Sequence, residues 1–145
     1  KYEVKQMPED YHFELGKATV IREGEDVTLI GSGIMVSRCK EAAEILRGRG
    51  ISAEVINVST IKPLDTETII RSASKTKHVV TAENSTVIGG LGGAVAEVLS
   101  EECPVKMRRI GIKDRFGHSG LIDELLEIYN LTTGDIVKKA LEVLG

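Results

Sequence analysis

The sequence predicts an α/β fold, with a mostly parallel sheet covered by helices on both faces. Two observations carry that reading. Short apolar strands alternate with amphipathic helical stretches along the chain, the pattern of parallel strands joined by right-handed crossovers. Aromatic residues are only 3% of the chain, so its core must rest on Val, Ile, Leu and Ala, as buried parallel strands do. A length of 145 residues fits a single domain with a real core.

The elements follow in order. Lys1 to Leu15 lacks a clean period and contains Pro8, and reads as an extended arm or interdomain linker. Ala18 to Arg22 is a short strand, and Glu23-Gly24-Glu25-Asp26 turns into a second strand, Val27 to Gly31. So short a connection predicts an antiparallel hairpin. Val36 to Arg49 is an amphipathic helix, with Val36, Cys39, Ala42, Ala43 and Leu46 at helical spacing and Gly48 and Gly50 at its end. Ala53 to Val58 is a buried-type strand. Pro63 breaks the chain, and Asp65 caps a helix from Thr66 to Ser74. Strand His78 to Ala82, helix Gly92 to Ser100 and strand Val105 to Ile110 come next. Helices Leu121 to Tyr129 and Asp135 to Leu144 close the chain.

Composition excludes several function classes. The net charge of -3 leaves no footing for nucleic-acid or membrane-surface binding, which would want a basic patch. No apolar run approaches the ~20 residues that span a bilayer, and no signal peptide is visible. Cys39 and Cys103 lack CxxC spacing and read as reduced thiols of a cytosolic protein. The chain opens on Lys1, so the expectation is a trimmed chain or a fragment.

Two glycine motifs invite a ligand. Gly31-Ser32-Gly33-Ile34-Met35-Val36 lies between a strand and a helix, where backbone N–H groups can hold a phosphate. Yet Val36 stands where a dinucleotide fingerprint has its third glycine, and no acid follows the next strand for a ribose hydroxyl. A turn that needs small residues is the plainer reading. Gly89-Gly90-Leu91-Gly92-Gly93 is the densest glycine run, open to backbone packing, subunit packing or an anion. It lacks the Gly-Lys-Ser/Thr of a Walker loop.

The candidate ligand-binding residues are Glu83, Asn84, Gly89, Gly90, Asp114, Arg115 and His118. All fall at the carboxyl ends of strands, where one polar crevice could gather them. No Gly-x-Ser-x-Gly elbow supports a hydrolase. His12, His78 and His118 lack metal-ligand spacing, so no metal site is expected.

Taken together, these segments resemble the C-terminal domain of the transketolase family. Phe13-Glu14-Leu15-Gly16-Lys17-Ala18 and Asp26-Val27-Thr28-Leu29-Ile30-Gly31-Ser32-Gly33 look like its opening. Ile61-Lys62-Pro63-Leu64-Asp65 and Gly89 to Gly93 look like its middle, and Asp114-Arg115-Phe116-Gly117-His118-Ser119-Gly120 like its last loop. The resemblance runs from about Phe13 to the end. It implies a three-layer α/β/α fold with a five-stranded mixed, mostly parallel sheet whose first strand is antiparallel. Lys1 to Leu15 is then the arm from a preceding domain, and residues 16–145 are the domain.

The parent enzyme implied uses thiamine diphosphate and Mg to move a two-carbon ketol unit between sugar phosphates. Its cofactor is held outside this chain, by two preceding domains. This sequence has no Gly-Asp-Gly motif, so no catalytic residue carries over and the isolated chain is expected to be inactive. Its implied role is assembly with the cofactor-binding domains or subunit and homodimer packing, in the cytoplasm. The last loop looks most like a split bacterial or archaeal transketolase. Deoxyxylulose-phosphate synthases and 2-oxoacid dehydrogenase beta subunits share the domain type and are the alternatives. A ligand-binding regulatory module built on the crevice is the alternative from another class.

Overall fold

The computed structural model describes residues 16–86, 90–112 and 132–145. The expected arm, Lys1 to Leu15, and the expected helix Leu121 to Tyr129 lie outside the described residues. Within them the order is β1 (Ala18–Arg22), β2 (Val27–Gly31), α1 (Met35–Arg47), β3 (Ala53–Val58), α2 (Thr66–Thr76), β4 (His78–Thr86), α3 (Leu91–Glu102), β5 (Lys106–Ile112) and α4 (Thr133–Leu144). Each element falls where the apolar pattern predicts it. The largest departure is β4, which runs on past Ala82 through a register irregularity to Thr86.

The five strands form one sheet in the order β1-β3-β2-β4-β5. β3, β2, β4 and β5 are mutually parallel, and β1 alone runs antiparallel, paired with β3. The expected β1–β2 hairpin is therefore incorrect. Every residue of β2 is buried, and both its edges are taken, by β3 and β4. β1 has no fully buried residue and suits the sheet's edge.

The connection from β1 to β2 thus passes over the start of β3, and Gly24 makes that crossing possible. A Cβ at Gly24 would sit 2.2 Å from the Ala53 carbonyl carbon and 2.4 Å from the Glu54 nitrogen. The strap is pinned on both sides. The Gly24 N–H donates to Glu54 Oε1 at 3.1 Å, the Glu25 N–H to Ser52 Oγ at 3.0 Å, and the Ser52 N–H to Asp26 Oδ2 at 2.7 Å.

Strand alternation splits the core into two layers. Val27, Leu29, Ala53, Val55, Val80 and Ala82 face α1 and α4, meeting Met35, Cys39 and Leu46 of one helix and Ile136 and Ala140 of the other. Ile30, Ile56, Val58 and Val79 face α2 and α3, meeting Ile69, Ala73, Leu91, Val95 and Leu99. The result is the three-layer α/β/α arrangement with a mixed, mostly parallel sheet. Cys39 and Cys103 are free thiols associated with opposite core layers.

The helix ends follow their sequence signals. Asp65 caps α2, its Oδ1 accepting the Thr68 N–H at 3.2 Å. Thr132 and Asp135 form a reciprocal capping box on α4. α2 ends at Lys77 in the left-handed conformation, φ 65°.

Candidate functional site

Parallel β2, β3, β4 and β5 bring their carboxyl ends to one edge of the sheet, and antiparallel β1 begins there. Gly31 of β2 lies beside Ala82 of β4. The chain leaving β2 turns to α1 on one face, while the chain leaving β4 turns to α3 on the other. Their divergence is the switch point at which open α/β sheets form a crevice.

The structure reaches part of the predicted constellation. Glu83, Asn84 and Gly90 lie at this edge, whereas Gly89, Asp114, Arg115 and His118 lie outside the described residues. Glu83 belongs to β4 and is 1% exposed. One carboxylate oxygen accepts the Leu91 N–H and the other the Gly92 N–H, both at 2.7 Å. α3 starts at Gly90 with no capping side chain and no acid in its first turn. A carboxylate from the preceding strand does the work of that cap, meeting the bare amides and the positive end of the helix dipole. The position an external anion would take on α3 is filled by the chain's own Glu83. Asn84, one residue on, is exposed.

Gly92 shows why one position of the run must be glycine. A Cβ there would lie 2.9 Å from both Thr81 Oγ1 and Arg109 Cδ. Thr81 is fully buried, and its hydroxyl has no hydrogen-bond partner among the described residues. Gly31 answers a similar demand beneath α1, where a Cβ would meet Cys39 Sγ at 3.1 Å and the Met35 carbonyl at 3.2 Å. Gly33 takes φ +58°. The Gly31-Ser32-Gly33 turn is thus accounted for by close helix-to-strand packing and by one positive φ.

Two buried carboxylates escaped the candidate set. Asp65, 7% exposed, does more than cap α2, because its Oδ2 accepts the Ala18 N–H at 2.8 Å and the Thr68 hydroxyl at 2.7 Å. Burial pushes its carboxyl up, but the hydrogen bonds from Ala18 and Thr68, with Lys17 nearby, hold it below the usual carboxylate range. Glu54, 3% exposed on β3, pairs with Lys75 of α2. Burial again raises its carboxyl, and hydrogen bonds from Lys75, Ser72 and Gly24 outweigh that and lower it. Next to it, Thr28 Oγ1 lies 2.7 Å from both Ser72 Oγ and Thr76 Oγ1, a buried hydroxyl cluster joining β2 to α2. The signal for these groups was a polar residue inside an otherwise apolar strand or helix face.

No group of three or more His, Cys, Asp or Glu among the described residues could hold a metal ion. Cys39 is fully buried, and burial raises its thiol to about 12, far from a reactive thiolate. No described helix is long and apolar enough to cross a membrane.

Strand order, layers and edge geometry define an α/β module whose loops gather at the switch point. The chain belongs to the transketolase family: residues 16–136 match the model described as transketolase, C-terminal domain. It is 56% identical over 135 residues to a 6-deoxy-6-sulfo-D-fructose transketolase subunit of Clostridium sp. (strain MSTE9), covering 93% of this chain and 42% of that protein. A putative transketolase C-terminal section of Methanocaldococcus jannaschii is 47% identical, over 92% of this chain and 42% of its own length. A 1-deoxy-D-xylulose-5-phosphate synthase of Heliobacterium modesticaldum is 40% identical over 89% of this chain and 20% of its own length. Among solved structures, a split gene transketolase described as an inactive beta4 tetramer superposes with a TM-score of 0.91 at 46% identity, over 97% of this chain and 46% of that one. The chain thus spans less than half the length of these transketolase relatives.

Proposed function

We propose that this chain is the C-terminal domain of a thiamine-diphosphate-dependent transketolase that moves two-carbon ketol units between sugar phosphates. Its part is assembly: packing against the cofactor-binding domains or subunit and contributing to a homodimer, in the cytoplasm. The observation that carries the reading is the match to split transketolase proteins over nearly the whole of this chain but under half of theirs.

The described residues do not fit the cofactor. The described residues include no metal-holding group, and both oxygens of Glu83 already receive the α3 amides. In this reading thiamine diphosphate and Mg are held by the other parts of the enzyme, and the isolated chain is inactive.

The test supplies the purified chain with thiamine diphosphate, Mg²⁺, xylulose 5-phosphate and an acceptor aldose phosphate. No ketol transfer is expected, and turnover by the chain alone would overturn the proposal. Deoxyxylulose-phosphate synthase is the second reading, favoured by the 40% identical relative. Reconstitution with the cofactor-binding portion separates the two, since a synthase would condense pyruvate with glyceraldehyde 3-phosphate. A regulatory ligand at the carboxyl edge would be revealed by calorimetric binding of a sugar phosphate that Arg115→Ala abolishes.

A further inference from the structure

We propose that Asp65 is a positioning residue that fixes where the chain enters the domain, by latching the first residue of β1 to the start of α2. Asp65 stands at the start of α2, 47 positions along from Ala18, yet one carboxylate holds both places. Oδ1 accepts the Thr68 N–H at 3.2 Å, as a helix cap does. Oδ2 accepts the Ala18 N–H at 2.8 Å, fixing the first residue of β1.

The surroundings reinforce the same corner. Gly16 takes φ +76°, and a Cβ there would approach Pro63 Cγ to 3.2 Å, so the chain bends against the segment leading into Asp65 before β1 begins. Lys17, between the bend and the strand, adds attraction to the carboxylate. β1 is an edge strand paired on its described side with β3 alone. Its first residue therefore depends on few contacts, and a side-chain acceptor from the rigid end of α2 ties it to the core.

The cap and the latch can be separated. Serine is as good a helix cap as aspartate, but its single hydroxyl, one bond shorter, cannot also reach Ala18. Asp65→Ser should keep α2 and release β1. Residue-resolved amide hydrogen exchange of the full chain reads this directly. The expected result is exchange at Ala18 at least tenfold faster than in the parent, with Thr68 and the rest of α2 within about threefold. Unchanged exchange at Ala18 would overturn the proposal. So would an equal rise at Thr68, which would make Asp65 a helix cap and nothing more. If Asp65→Ser does not fold, the isosteric Asp65→Asn with its single acceptor oxygen takes the same measurement. Exchange is read on the chain alone, so failure of the transketolase reading would leave this result standing, and the reverse also holds.

Discussion

Individual residues show two opposite uses of the left-handed and crowded backbone positions. Lys77 closes α2 at φ 65°, where a side chain costs roughly 1–2 kcal/mol and glycine costs nothing in strain. Part of that is offset by glycine's greater freedom when unfolded, worth about 0.5–1 kcal/mol. Lys77→Gly should therefore stabilise the domain by about 0.5 kcal/mol, read as a higher urea midpoint at unchanged slope. Gly24 is the contrary case. Its Cβ has no room over the Ala53–Glu54 backbone, and backbone cannot yield as a flexible side chain can. Gly24→Ala should cost ~2 kcal/mol or more in the same assay, and a loss under 0.5 kcal/mol would mean the strap shifts freely. Neither position announced itself in the sequence. Gly24 looked like an ordinary turn glycine, and its necessity comes from a strand 29 positions later in the chain.

Elements were legible in proportion to how local their causes are. The spans of β1, β2 and β3 and the cap at Asp65 depend on neighbours in the chain, and they stand where periodicity and capping place them. The partner of β1 depends on which strand best fills the sheet's centre, and a short loop misled. The structure separates the two strands by burial, with β2 buried throughout and β1 at no position. Glu83 was legible as a carboxyl-edge residue, though not as the cap of α3, because strand and helix meet only after the chain turns. The clue there was a helix opening on glycine with no acid of its own. The α2-to-sheet contact carries a pH signature of the same origin. Glu54 is held below its ordinary range, so its stabilisation is fully present above the unfolded carboxylate value of about 4.3. It is lost as pH falls through the folded value. The urea midpoints of parent and Glu54→Gln should thus differ at pH 7, and the gap should narrow as pH falls below about 4.3. A constant gap would assign the loss to packing alone. At the other end of the chain, Thr132→Ala removes one arm of the α4 capping box and should cost about 1 kcal/mol.

At the scale of the whole molecule, the two thiols report different depths of opening. Cys39 is sealed between α1 and the sheet and Cys103 is half-buried beside Ser74. Maleimide should label Cys103 in the native state, and Cys39 only at the rate of global unfolding; equal labelling would show that the α1 layer opens by itself. The strap over β3 has a mechanical consequence. A tension applied through Gly16 loads the bonds of β1 one at a time, starting at Ala18, as a zipper rather than as a row. The yielding stops where Gly24 and Glu25 are pinned to Glu54 and Ser52. Peeling Ala18 to Glu23 releases a tether of roughly 20 Å, while β2, β3, β4 and β5 remain closed. A domain pulled by its leading end thus carries a short shock absorber, and optical-trap extension traces should show that step before the main rupture.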